Sequence, residues 1–227
     1  MSDISKHKRV NDILLGPLER PALKWFAEHM PTWITPDGCT IIGVIGAMII
    51  AVSYVLSRFD RNFLWLATVG FIINWFGDSM DGTLARYRKI ERPTFGFFVD
   101  HIVDAGSQVL IFLGLGMTPY VNFNIASLTL ICYLLLSILA YVRTCTVGEF
   151  KISYGKLGPT EVRVLAILLN TGMYFGGASA FPISLGAFGQ FQFSIYDGIV
   201  SAIALLLMFF FITTALTEGT RLAKAGK

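Results

Sequence analysis

The chain has 227 residues, of which 54% are hydrophobic and 15% charged, with a mean hydropathy of +0.64 and a net charge of +3. A soluble domain carries about 25% charged residues, so this composition excludes disorder, argues against a soluble globule, and gives no support to nucleic-acid binding. Three cysteines (Cys39, Cys132 and Cys145) are an odd number without a CxxC pair, which suits neither a disulfide framework nor a zinc site.

The first 37 residues are polar and basic at the start, with no signal-peptide pattern. Within them Leu18, Leu23, Phe26 and Met30 fall near one helical face, and Trp25 suits a membrane interface. Two placements fit equally: an amphipathic helix on the inner leaflet, or a helix packed on the rest of the chain. Six apolar stretches follow, near 38–57, 62–85, 95–117, 122–145, 157–180 and 196–217. Each reaches the roughly 20 residues a helix needs to cross about 30 Å of hydrocarbon. The expected fold is therefore all-α: an integral membrane bundle of six transmembrane helices over 38–227, preceded by an interfacial segment over 1–37. Lys and Arg concentrate in 1–37, in the second-to-third connection, in the fourth-to-fifth connection and in the tail. The positive-inside rule then places both termini and the Asp-rich segment in the cytoplasm.

That Asp-rich segment carries the chemistry. Asp78, Asp81, Gly82 and Ala85 share one helical face, and Gly96, Asp100 and Asp104 share a face of the next helix. Antiparallel neighbours can point these faces at each other. A charge deep in a membrane helix costs roughly 2.5–3.5 kcal/mol on insertion scales. Four ionised aspartates would then cost on the order of 10 kcal/mol, comparable with the whole stability of a protein. Two divalent cations would neutralise them, and all-oxygen ligation selects Mg²⁺, Mn²⁺ or Ca²⁺. The bland alternative is a solvated network with Arg86, Arg88 and Arg92, but Asp spacing repeated on two helices disfavours it.

The run Asp78-x2-Asp81-Gly82-x2-Ala85-Arg86-x9-Gly96-x3-Asp100-x3-Asp104 resembles the signature of the CDP-alcohol phosphotransferases at all eight fixed positions, with a spacer one residue longer than the commonest. The resemblance implies transfer of a substituted phosphoryl group from a CDP-linked lipid or CDP-alcohol donor to an alcohol acceptor, with release of CMP. It also implies two Mg²⁺ or Mn²⁺ ions per site, membrane lipids as surroundings, and a homodimer. By the same resemblance Asp78, Asp81 and Asp100 are the main metal ligands, and Asp104 completes the second metal's shell or acts as base. The nucleotide would contact Asp78, Gly82, Ala85, Arg86 and Gly96.

Two further segments resemble the amino-alcohol (choline and ethanolamine) branch: Asp100-His101-x2-Asp104 and Gly158-Pro159-Thr160-Glu161. They imply that His101 and Glu161 activate the acceptor hydroxyl, the rival for Glu161 being an ion pair with Arg163. Members of that branch are usually longer, and Arg163 departs from their pattern. Arg143, Lys151, Lys156 and Arg163 are alternatively an acceptor-phosphate site, as in the inositol-phosphate and glycerol-phosphate branches. A membrane prenyltransferase is disfavoured because both Asp motifs lie within 27 residues. A cation transporter is disfavoured because the carboxylates sit beside Arg-rich sequence at one end of the spans. Asp197 reads as a helix-start residue.

Overall fold

The computed structural model describes residues 8–10, 14–147, 149–151, 158–184 and 190–225. Seven helices occur among them: α1 (Gly16–His29), α2 (Pro36–Leu56), α3 (Phe63–Arg88), α4 (Pro93–Gly116), α5 (Phe123–Val147), α6 (Pro159–Gly176) and α7 (Ile195–Ala225). Short strands β1 (Lys8–Val10) and β2 (Glu149–Lys151) pair in parallel. Strands β3 (Ala180–Ser184) and β4 (Gln190–Ser194) pair antiparallel between α6 and α7. These strands lie outside the expected spans, apart from Ala180 at the end of the fifth. The alternation Phe191-Gln192-Phe193 fits a two-residue period.

Five described helices, α2, α3, α4, α5 and α7, are long and apolar enough to cross a membrane. The helix expected as the fifth of six spans is α6, which has 18 residues and is not among those five. It carries Glu161, Arg163 and Asn170, all buried. It ends at Gly177, whose φ of 70° stops a right-handed helix.

Helices α2 and α3 cross at close range because glycine lines the contact. A Cβ added at Gly70 would lie 2.8 Å from Ile50 Cγ1, and one at Gly46 or Gly77 would enter the facing backbone. Such small-residue contacts let transmembrane helices approach closely enough for dispersion to hold them. The core of Ile50, Tyr54, Leu64, Phe71, Met173 and Val200 fills the centre of the bundle. The Tyr54 hydroxyl donates to Asn170 Oδ1 at 2.8 Å, which ties α6 to α2.

Helix α1 packs on α3: Leu23 and Ala27 are buried with Met80 and Leu84, and Phe26 meets Phe76 edge-on at 5.4 Å. Leu18 and Trp25 point outward. Arg88, near the end of α3, donates to the carbonyls of Met30, Pro31 and Ile34, which follow α1. These carbonyls have no intrahelical partner, and a cation there is favourable.

The turn between α3 and α4 sets the site. Ile90 N donates to Ala85 O and Lys89 N to Arg86 O, at 3.0 and 3.1 Å, around Lys89 with φ of 58°. This is a Schellman arrangement, in which the left-handed residue is usually glycine. Pro93 then starts α4, a position that needs no N–H. Arg92 pairs with Asp37 at the start of α2, joining the turn to the third helix of the site.

Candidate metal and nucleotide site

The tight α3–α4 turn brings the two aspartate faces together. Asp78, Asp100 and Asp104 each offer a carboxylate oxygen, and these oxygens lie within 4.8 Å of one another. All three carboxylates are half-buried. The donor set is all oxygen and anionic, which fits a hard divalent cation and not a thiolate- or imidazole-preferring one. The cluster closes a small cavity between α2, α3 and α4, lined also by Thr40, Asn74 and Asp81.

Asp81, expected among the main ligands, lines this cavity but stands outside the tight trio. Thr40 of α2 donates to its Oδ2 at 2.8 Å, and Gly82 N donates to its Oδ1 at 2.5 Å. Thr40 thus draws Asp81 toward α2. Thr35 positions that helix start, since its Oγ1 accepts from Gly38 N at 3.1 Å as an N-cap.

Gly82, Ala85, Arg86 and Gly96 border a large cleft that opens from the carboxylates. A Cβ at Gly82 would meet only the flexible Arg86 guanidinium, at 3.2 Å, and one at Gly96 would meet nothing within 4 Å. The nucleotide residues expected from sequence therefore share one open surface with Asp78. Farther in, the cleft walls turn apolar, with Ile111, Leu115, Leu165, Leu169, Ile203 and Leu207.

His101 lines the same cleft. Its Nδ1 lies 2.7 Å from Phe97 O, so that nitrogen carries the proton and Nε2 is the basic one. The ring stacks on Phe97 at 4.1 Å, meets Tyr141 edge-on at 5.0 Å, and lies 3.5 Å from Asp100 Oδ2.

Two expected site residues are placed elsewhere. Glu161 is not among the described residues of the cleft. Its Oε2 accepts from Gly158 N at 2.9 Å, a capping contact at the start of α6, and its Oε1 accepts from Leu15 N at 2.8 Å. Both oxygens thus bind backbone N–H groups. Arg143 is likewise absent from the cleft lining, and its Nη2 reaches Glu218 Oε1 of α7 at 2.9 Å. The side chain of Lys151 and all of Lys156 lie outside the described residues.

Arg163 does reach the site, but it faces a carboxylate. Its Nη2 donates to Asp78 Oδ2 at 2.7 Å and its Nε to Asn74 Oδ1 at 2.9 Å. Its partners are thus Asp78 and Asn74 and not Glu161, while Arg88 binds carbonyls and Arg92 pairs with Asp37. The chain of contacts continues from Asn74 Nδ2 to Gly43 O at 2.9 Å. Sequence reasoning missed Thr40 and Asn74. Asn74 had a signal: it is a polar residue inside an apolar run, one turn before Asp78.

Residues 33–210 match the model of the CDP-alcohol phosphatidyltransferase family. The chain is 25% identical over 198 residues to cholinephosphotransferase 1 of Gallus gallus, covering 84% of this chain and 59% of that protein. It is 27% identical over 202 residues to cholinephosphotransferase 1 of Danio rerio, covering 76% and 50%. It is 35% identical over 85 residues to a phosphatidylinositol phosphate synthase of Cutibacterium acnes, covering 37% and 38%. The chain spans about half the length of the curated relatives it matches.

Proposed function

We propose, from the premise that this chain belongs to the CDP-alcohol phosphatidyltransferase family, that it moves a substituted phosphoryl group from a CDP-linked donor to an alcohol hydroxyl and releases CMP. The observation that carries this reading is the convergence of Asp78, Asp100 and Asp104 within 4.8 Å at the mouth of an open cleft.

Asp78, Asp100 and Asp104, with Asp81 beside them, would hold two divalent ions, Mg²⁺ or Mn²⁺. Bound there, the ions supply charge neutralisation for the donor diphosphate and for the leaving oxygen of CMP. The small residues Gly82, Ala85 and Gly96 leave room for the cytidine, and Arg86 stands over Gly82 to meet a nucleotide phosphate. Asp104 and His101 both line the cleft, and the Asp104 carboxylate or the Nε2 of His101 takes the proton that leaves the acceptor hydroxyl. Glu161 supports this end of the bundle as a backbone clasp and is not part of the base. The apolar inner walls of the cleft suit the acyl chains of a lipid substrate.

We place the transferase site and both termini on the cytoplasmic side, by the positive-inside distribution. Helix α6 serves as a sixth, more polar span and α1 lies at the interface, with Leu18 and Trp25 toward lipid. The cholinephosphotransferases among the relatives favour an amino-alcohol head group. A second reading, CDP-diacylglycerol-dependent transfer to a phosphorylated polyol, is favoured by the 35% identity to a phosphatidylinositol phosphate synthase.

The deciding experiment incubates purified protein with Mg²⁺ or Mn²⁺ and labelled CDP-choline, CDP-ethanolamine or CDP-diacylglycerol, and follows CMP release against diacylglycerol, inositol phosphate and glycerol phosphate. Metal-dependent CMP release with the first two donors and diacylglycerol supports the amino-alcohol reading. Release only from CDP-diacylglycerol supports the second. No CMP from any pair, in protein that binds the metal, rejects both.

A further inference from the structure

A buried arginine beside a carboxylate trio has an electrostatic consequence. Arg163 is buried, with 9% of its side chain exposed, and Asp78 Oδ2 lies 2.7 Å from its Nη2. Its guanidinium is fixed by a second bond, from Nε to Asn74 Oδ1. Asn74 is held in turn by Gly43 O and by the glycine-lined crossing, where Gly46 leaves no room for a Cβ. The charge therefore has a defined position against the trio. Three carboxylates against one guanidinium leave two formal negative charges, so Arg163 already offsets part of the charge that arriving cations would neutralise.

We infer that Arg163 is a built-in counter-charge of the carboxylate trio: it stabilises the assembled cluster without metal and weakens the binding of the divalent cation that competes with it. This rests on the reading of the trio as a metal site. Without the guanidinium, three anionic groups in a partly buried space repel one another. With it, the protein folds to a ready cluster, and an arriving cation meets a positive charge already bound to Asp78. Anything that stabilises the free form and repels the ligand lowers apparent affinity, and the coupling is reciprocal. The device keeps bound metal exchangeable. It also gives a buried cation on α6 a use that needs no acceptor phosphate.

The test uses the full chain in detergent, with Mn²⁺ alone as the probe. Calorimetry reads affinity, and thermal unfolding with and without Mn²⁺ reads stability. In Arg163→Gln we expect Mn²⁺ to bind on the order of tenfold more tightly, the common size of a coupling between two sites. We also expect the metal-free Tm to fall by about 3 °C or more, and the Tm rise on adding Mn²⁺ to exceed that of the unsubstituted protein. Unchanged affinity overturns the inference in favour of an acceptor-binding or purely structural arginine. Weaker affinity overturns it in favour of simple orientation of Asp78. Should Arg163→Gln fail to fold, Arg163→Lys decides, since it keeps the charge and loses the fork. Affinity within about threefold of the unsubstituted protein supports a charge effect, and a shift of tenfold or more in either direction overturns it. If the unsubstituted protein binds no Mn²⁺, the metal reading itself falls. If it binds Mn²⁺ and only the substitutions are silent, the counter-charge alone falls.

Discussion

The two ends of α4 treat aspartates in opposite ways. Beyond its C-terminal end, Asp197 is 2% exposed, and its oxygens accept from Asn122 N at 2.7 Å and Ser194 N at 2.8 Å. Ser194 Oγ accepts from Asp197 N at 2.9 Å, which closes a reciprocal cap at the start of α7. Every contact there is to fixed backbone, and the charge is spent on structure. Near the N-terminal end, Asp100 and Asp104 face Asp78, to which Arg163 donates. Backbone amides satisfy a carboxylate permanently, whereas carboxylates facing one another favour a cation. The difference in partners separates a capping aspartate from a ligand aspartate of the same residue type. Glu161 belongs with Asp197 by this criterion, because two backbone N–H groups take its oxygens.

The largest effects test the ligand end. Asp78→Asn and Asp100→Asn should each cut CMP release by at least about a hundredfold, beyond the loss seen for outer-shell partners of metal sites. The Tm of Asp100→Asn should hold or rise, because a like charge is removed from the cluster, whereas that of Asp78→Asn should fall somewhat, because buried Arg163 loses its carboxylate partner. Turnover and thermal unfolding on the same preparations check this, and a large Tm loss with little loss of turnover would move these residues into the structural class. Asp197→Ala should do the reverse. It leaves buried N–H groups without acceptors, at about 1–3 kcal/mol for each orphaned group, while CMP release per folded molecule stays unchanged. A catalytic defect there would break the comparison.

Glu161→Gln sharpens it further. Glutamine offers one acceptor oxygen where the native residue offers two, so stability should fall by about 1–2 kcal/mol with turnover close to normal. A hundredfold loss of turnover at unchanged Tm would return Glu161 to the base.

The smallest effects contrast space at the two ends. A Cβ at Gly176 would collide with the Tyr196 hydroxyl, so Gly176→Ala should lower stability by about 1 kcal/mol or more through overpacking. A Cβ at Gly82 meets only the movable Arg86 side chain. Gly82→Leu should therefore leave Tm nearly constant and weaken CDP-donor binding by about tenfold. Donor titrations and melting curves on the pair separate filled space from reserved space.

Much of this was legible in sequence. The 3.6-residue period put Asp78 with Asp81 and Asp100 with Asp104, and apolar runs marked five of the helices. The period cannot say which carboxylates meet. Asp81 shares a face with Asp78 but is drawn to Thr40, while Asp104 joins the trio from the next helix. Glu161 and Arg163 lie two residues apart in sequence and face different ways, one to the backbone of its own helix start and the other to Asp78.

The sequence by itself determined the composition class, the apolar spans, the aspartate faces and the turn that joins them, because these depend on residues within one or two helical turns of each other. Only the tertiary structure decided that Arg163 reaches Asp78, that Glu161 clasps Leu15, and that Arg143 belongs to Glu218. Those pairings join residues 75 to 146 positions apart. They join α6 to α3, α6 to the start of α1, and α5 to α7, and which helices pack together is something no local period encodes.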